Sequence, residues 1–292
     1  MEMILDMLSF TFMVRAVVVG LLVSLCAALL GVSLVLKRYA MIGTGLGNVG
    51  FAAMTLTTAI ESAALAVFLP SIIVVALASL PPLFVYMPIV VAAAFLLLRV
   101  NESSKIKGDS AVALISASSL AVGVIITGQT TGMSLHTCTA MFGSILAMTR
   151  TDLQLSVGLS IVVLVLFVLF YKQLFAVTYD ESFAKATGTR IQVYKSLLAI
   201  LTAVTVVLGM RMMGALLISA LIIFPALSAM RVCKSFLSVI ISSAAISVIC
   251  FFVGIVLSFG YDLPTGASVV GVNLIVFLLL CAVNPLRKGG RV

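Results

Sequence analysis

Chemistry needs groups that hold charge, donate hydrogen bonds or bind metal, and inside the long apolar stretches of this chain such groups are few. The segment MIGTGLGNVGFAAM, Met41 to Met54, carries Thr44 and Asn48 among Gly43, Gly45, Gly47 and Gly50, without a charge. A segment built only to sit in lipid would be mostly Leu, Ile and Val. Small residues let something bulkier come near the backbone, either a neighbouring helix or a passing solute. A hydroxyl and an amide four residues apart on a helix share a face and can hydrogen-bond either one. The stretch ALISASSLAVG, residues 113–123, adds Ser116, Ser118 and Ser119. The single histidine, His136, lies with Met133, Cys138 and Met141 in MSLHTCTAM. Sulfur and imidazole suit Cu(I) or zinc, and His136 and Cys138 are the candidate metal ligands. Against this, their spacing mixes faces and methionine is common here, with 14 copies. Cys26, Cys138, Cys233, Cys250 and Cys281 include no CxxC pair, so neither a zinc ribbon nor a disulfide frame is indicated.

A different chemistry resides in YKQLFAVTYDESFAKATGTRIQVYK, residues 171–195, the longest charged segment between apolar stretches. DESFAKATG has the makings of a short helix. Asp180 suits the positive N-terminal end, Phe183 and Ala184 form a small apolar knob, and Gly188 suits the C-terminal cap. Glu181 adds a second acid. Such a helix at a membrane surface is suited to docking in a groove on a cytoplasmic partner, or it simply connects two spans.

The elements that must position these groups follow from composition. The chain has 292 residues, 63% apolar and 9% charged, with a mean hydropathy of +1.35. Soluble domains are roughly 25% charged. A spanning helix needs roughly 20 apolar residues. Ala16–Leu36, Tyr39–Ile60, Ser62–Leu98, Leu153–Tyr171, Met212–Met230, Phe236–Tyr261 and Leu263–Leu286 carry no charge, and Ser110–Thr149 carries only His136. A mid-membrane charge costs about 2.5–3.5 kcal/mol on insertion scales, so this emptiness is itself a signal. The fold class is all-α: a polytopic membrane protein of about eight or nine transmembrane helices, read as one transmembrane domain over 1–292 with a cytoplasmic segment at about 172–195. Short alternating strands of a barrel are not seen. The opening MEMILDMLSF has two acids and no basic region, so no secretory signal is expected.

The net charge of +8 could suggest nucleic acid, but the basic residues lie between apolar spans. Lys37 and Arg38; Arg99, Lys105 and Lys107; Lys172, Lys185, Arg190 and Lys195; Arg231 and Lys234; and Arg287, Lys288 and Arg291 form five clusters. The positive-inside rule puts all five in the cytoplasm, with Met1 outside and Val292 inside. An even number of crossings must then separate Arg38 from Arg99. Three apolar pieces lie there, so the region from Pro70 to Pro82 is expected to be re-entrant or to lie on the outer surface. GMRMMG, 209–214, must be a tight outer turn, with Arg211 an exception to the rule. YDLPTG, 261–266, places Asp262, Pro264 and Thr265 at the start of the last span, as ordinary helix-initiating chemistry.

Five ordered motifs over about 240 residues resemble the membrane permease of zinc/manganese-type ABC importers. GVSLVLKRYAMIG is similar to the family's first span and basic pair, and MFGSILAMTRTDL to its FGSIL…DL segment. YDESFAKATG resembles the coupling-helix motif DEEFARATG. MRMMGALLISALIIFPALSA and YDLPTGASVV resemble LRVVGALLVSALLVIPAATA and YDLPTGPTIV. The resemblance implies a multi-pass permease in a bacterial plasma membrane, paired as a dimer around one pathway, with a homodimer expected. It implies cytoplasmic ABC ATPase subunits and an extracytoplasmic substrate-binding lipoprotein. Membrane lipid surrounds it, and nucleic acid has no part. No G-x-x-x-x-G-K-[ST] occurs here, so ATP and Mg belong to the ATPase chain. This chain is then a non-catalytic subunit without a cofactor of its own. Asp180, Glu181, Phe183, Ala184 and Gly188 become the ATPase-coupling residues.

In that family the second span reads G-D-A-L-S-H-A, and its Asp and His suit a transient divalent-metal site. Here Thr44 stands for the Asp, Asn48 for the His and Gly47 for the Ser. The resemblance makes Thr44, Gly47, Asn48, Ser116 and Ser119 the substrate pathway, yet one stripped of ionic ligands. Import of a divalent metal (zinc, manganese or iron) is expected, with the binding protein supplying selectivity. The alternative is the same importer carrying a metal chelate or a small polar organic molecule. A secondary transporter would need buried coupling acids and inverted halves, and neither is evident. An intramembrane enzyme would need a nucleophile–base or metal constellation, which one His and no buried acid do not provide.

Overall fold

A backbone N–H or C=O left unpaired in lipid costs several kcal/mol, so uncharged stretches of this length must close their own hydrogen bonds as helices. A computed structural model describes residues 11–37, 39, 41–61, 82–103, 108–129, 150–261 and 263–288. Its described elements are all helical: α1 (Thr11–Leu36), α2 (Ile42–Glu61), α3 (Pro82–Ser103), α4 (Gly108–Gln129), α5 (Arg150–Leu169), α6 (Tyr171–Tyr179), α7 (Glu181–Ala186), α8 (Ile191–Met213), α9 (Ala215–Val232), α10 (Phe236–Tyr261) and α11 (Thr265–Lys288). Among the described residues α1, α4, α8, α9, α10 and α11 are long and apolar enough to cross a bilayer. The α5–α6 pair, bent by 68°, gives a seventh. Two further long helices, α2 and α3, pack among them.

Lipid is as apolar as leucine, so close backbone approach and hydrogen bonds hold such helices together rather than hydrophobic drive. The central helix, α1, shows both. Gly31 lies against the backbone carbonyl of Ile222 in α9, where a Cβ would have no room. Ser247 Oγ donates to Ser24 O at 3.0 Å and Ser243 Oγ to Ala28 O at 3.4 Å, tying α10 to α1. Cys26 Sγ reaches Ser160 O of α5 at 3.5 Å.

Contacts along the helices set their directions. Gly45 and Gly50 of α2 face Leu97 and Val90 of α3, so these two helices are antiparallel. Gly45 also faces Val112 of α4, and Phe51 and Ala52 face Gly123, so α4 runs parallel to α2. The chain therefore returns through α3 to the end from which α2 set out, as the basic clusters at Lys37 and Arg99 demand. Of the Pro70–Pro82 region only Pro82 falls within the described residues, and it opens α3.

The expected tight turn within 209–214 is narrowed to one residue. The helix runs on through Met213, with Gly209 kept helical in close contact with Ile218 and Val23, and the change of direction rests on Gly214 alone, at φ 84°. Its N–H still bonds Met210 O at 2.9 Å. At the last span Thr265 opens α11, and Ser258 Oγ bonds Leu263 O and Thr265 Oγ1.

Candidate substrate pathway and coupling segment

The glycines of α2 answer to helices on several sides. Gly43 and Gly47 lie against Ile222 and Ala215 of α9. Gly45 meets Val112 of α4, and Gly50 meets Met210 of α8. The remaining face, with Thr44 and Asn48 half-buried on it, turns toward α4. Asn48 Nδ2 donates to Ser116 Oγ at 2.5 Å across that seam. Ser116 and Ser119 are half-buried as well. Thr44 sits one turn before the bonded pair on α2, and Ser119 one turn after it on α4, so the parallel helices set neutral polar groups in a row. Beside the row α4 exposes Ala113, Ala117, Ser118 and Ala121, small residues that leave the pair approachable.

The row carries oxygen and amide dipoles but no ionised group. Such groups can hydrogen-bond a hydrated or chelated solute, and they cannot offset the charge of a bare dication as a carboxylate does. Among the described residues no cluster of three or more His, Cys, Asp or Glu side chains is gathered. His136 and Cys138 lie outside the described residues.

The second site is built by local chemistry. Helix α6 turns off α5 and carries Phe175 and Tyr179, whose rings stack at 5.9 Å. Phe175 and Tyr171 also pack on Phe236 at the start of α10, at 4.7 and 5.8 Å. Asp180, in extended conformation, then caps α7 by accepting from Phe183 N at 3.0 Å. Side-chain caps of this kind contribute about 1 kcal/mol. Ala184 is fully buried while Phe183 is 64% and Tyr179 79% exposed. The buried alanine seats the helix and the aromatic residues point away from the bundle. Thr187 is the C-cap residue, and Gly188 follows at φ 79°, a left-handed conformation that glycine takes without cost. Thr189 N closes the end on Ala184 O at 3.0 Å.

Glu181, the second acid of the segment, is engaged within the chain. Its two carboxylate oxygens bond Lys37 Nζ at 3.0 Å and Lys195 Nζ at 2.8 Å. Lys37 follows α1 and Lys195 is the fifth residue of α8. Burial alone would raise the Glu181 pKa, but the two ammonium groups outweigh it and hold the carboxyl below its ordinary range. Sequence reasoning used both lysines only as markers of the cytoplasmic side. The available signal was the acid itself, set in a surface otherwise rich in basic residues.

The described residues, an all-helical bundle with a polar seam between two helices and a capped aromatic knob at its basic end, are those of a multi-pass membrane protein. Residues 9–284 match the family described as the ABC 3 transport family, and the chain belongs to it. It is 25% identical over 280 residues to the manganese transport system membrane protein MntC of Halalkalibacterium halodurans, covering 96% of this chain and 90% of that one. It is 30% identical over 274 residues to the high-affinity zinc uptake system membrane protein ZnuB of Haemophilus influenzae, covering 92% and 97%. Among solved structures, PsaBC from Streptococcus pneumoniae in complex with Fab matches with TM-score 0.80 at 25% identity, covering 96% of this chain and 94% of that one.

Proposed function

We propose that the chain is the permease subunit of an ATP-driven importer for a divalent metal ion of the manganese, zinc or iron class. The observation that carries this reading is the family match over residues 9–284, joined by near full-length relatives named for manganese and zinc transport. An extracytoplasmic binding protein delivers the ion. Two copies of the permease enclose the path in a bacterial plasma membrane, and ATP with Mg is hydrolysed on separate ATPase chains, so the permease itself is not an enzyme and needs no cofactor.

The path runs past Thr44, Asn48, Ser116 and Ser119, with Gly47 giving room. Neutral dipoles hold a dication weakly, which favours release over retention. Selectivity then rests with the binding protein. The dominant work of the permease is to open and close around an ion that keeps much of its water. Phe183, exposed beside Tyr179 and seated by Ala184, docks in a groove of the ATPase.

The neutral Asn48–Ser116 pair favours one second reading: the same importer carrying a metal chelate or a small polar organic molecule, whose charge is already masked. Proteoliposomes holding permease, ATPase and binding protein separate the two. ATP-dependent uptake of radioactive manganese, zinc or iron salts supports the first reading. Uptake only when the metal is supplied as a chelate supports the second. No ATP-dependent uptake of either form ends both. In the same preparation Phe183→Asp is expected to abolish ATP-driven uptake while the permease still inserts, and unchanged uptake refutes the docking role.

A further inference from the structure

Glu181 joins three elements, its own α7, the next helix α8 and the distant α1. Lys37 is separated from it by 144 residues, and its side chain is only 5% exposed. The Lys195 side chain is 13% exposed, against 45% for Glu181. The lysines thus rise from the end of the bundle and the carboxylate closes over them. A nearly buried ammonium requires a counter-charge, so α7 is held to α1 and α8 by charge as well as by the buried Ala184.

The two braced helices reach α2 by different routes. On the first, Gly31 of α1 lies against the Ile222 backbone, and the Ile222 side chain lies against Gly43 of α2. On the second, Met210 of α8 fills the space over Gly50 of α2. Both routes are close-packed, the first through backbone contact and the second through the Met210 side chain, and both end on the helix that carries Thr44 and Asn48. Packed interiors transmit displacement because they have little room to absorb it.

We propose that Glu181 is a positioning residue that fastens the coupling helix to α1 and α8, so that motion delivered to Phe183 is passed to α2 and the pathway. This rests on the proposed docking of α7 in the ATPase. Without the brace, α7 would move on its own, sliding over the bundle end while α2 stayed in place.

The experiment uses the assembled permease–ATPase complex, with native cysteines replaced and a nitroxide on Ala117→Cys, an exposed α4 position beside Ser116. Its spectrum is compared between nucleotide-free and ATP-trapped states, a readout that does not depend on the substrate. Glu181→Gln is expected to retain the ATPase on co-purification yet reduce the ATP-dependent spectral change by about fivefold or more, the range of ordinary allosteric couplings. Lys195→Gln is expected to do the same, and serves if Glu181→Gln does not reach the membrane. Reversing all three charges, Glu181→Lys with Lys37→Glu and Lys195→Glu, is expected to restore the change. A full spectral change in Glu181→Gln and Lys195→Gln overturns the proposal. Loss of the ATPase from Glu181→Gln also overturns it, because Glu181 would then be a docking contact. A complex in which Phe183→Asp leaves both the ATPase and the spectral change intact fails at the docking reading instead.

Discussion

Removing the hydroxyl of Ser116 tests whether the α2–α4 seam is a pathway or only a joint. In Ser116→Ala the Asn48 amide loses the acceptor it reaches at 2.5 Å. Interhelical hydrogen bonds in membranes average about 0.6 kcal/mol and reach about 1.7 kcal/mol. Both groups are half-buried, so a value near the average is expected. Asn48→Leu removes the donor instead, and the double variant completes a cycle. In a denaturation titration of the purified permease, the coupling energy should fall at about 0.6 kcal/mol and not exceed about 1.7 kcal/mol. That is about a threefold change in a folding equilibrium, too small to empty the folded state of a protein stable by several kcal/mol. If the pair only joined helices, uptake per folded permease would stay level. If it lines the path, ATP-dependent uptake should fall in Asn48→Leu well beyond any fall in abundance. A cycle additive to within about 0.3 kcal/mol refutes the hydrogen bond. Level uptake per permease in both single variants refutes the pathway.

Three other predictions follow from the packing, the clamp and the topology. Gly31→Ala is expected to cost about 1–3 kcal/mol in the same titration, since the new methyl meets the Ile222 carbonyl, which is backbone and cannot rotate away; Gly158→Ala, with nothing within 4 Å, should lose no stability. The Glu181 carboxyl titrates below its ordinary 4.5, so the folded protein binds fewer protons there than the unfolded one. Its contribution is therefore whole above pH 4.5 and is lost as the pH falls through the lowered value; being half-exposed it is modest, about 1 kcal/mol or less. Thermal melts between pH 7 and pH 3.5 should show this loss, and Glu181→Gln should remove it. Cys233, half-buried beside Ser242 at 3.1 Å, should react with a membrane-impermeant maleimide from the cytoplasmic side; the buried Cys26 and Cys250 should not.

The sequence by itself determined that the chain lies in a membrane, which segments are helical and which end is basic. It also determined the short helix α7, because Asp180 and Gly188 act on backbone groups within a few residues of themselves. Local hydrogen bonds and burial of apolar length need no knowledge of neighbours. The topology count placed a turn within 209–214 but not its residue: of the two glycines in GMRMMG only Gly214 takes a positive φ.

The tertiary structure decided what meets what. Glycines in α2 announce close approach on more than one side of the helix, but nothing in them names Ile222, Val112 or Met210 as the neighbours. Asn48 and Ser116 stand 68 residues apart, and their bond exists because α2 and α4 run parallel with matched register. Lys37 and Lys195 read as markers of sidedness until the ends of α1 and α8 are brought under Glu181. In lipid any small or polar face is free to pair with any other, so the choice of partner is made by helix direction, register and close packing, none of which one segment encodes alone.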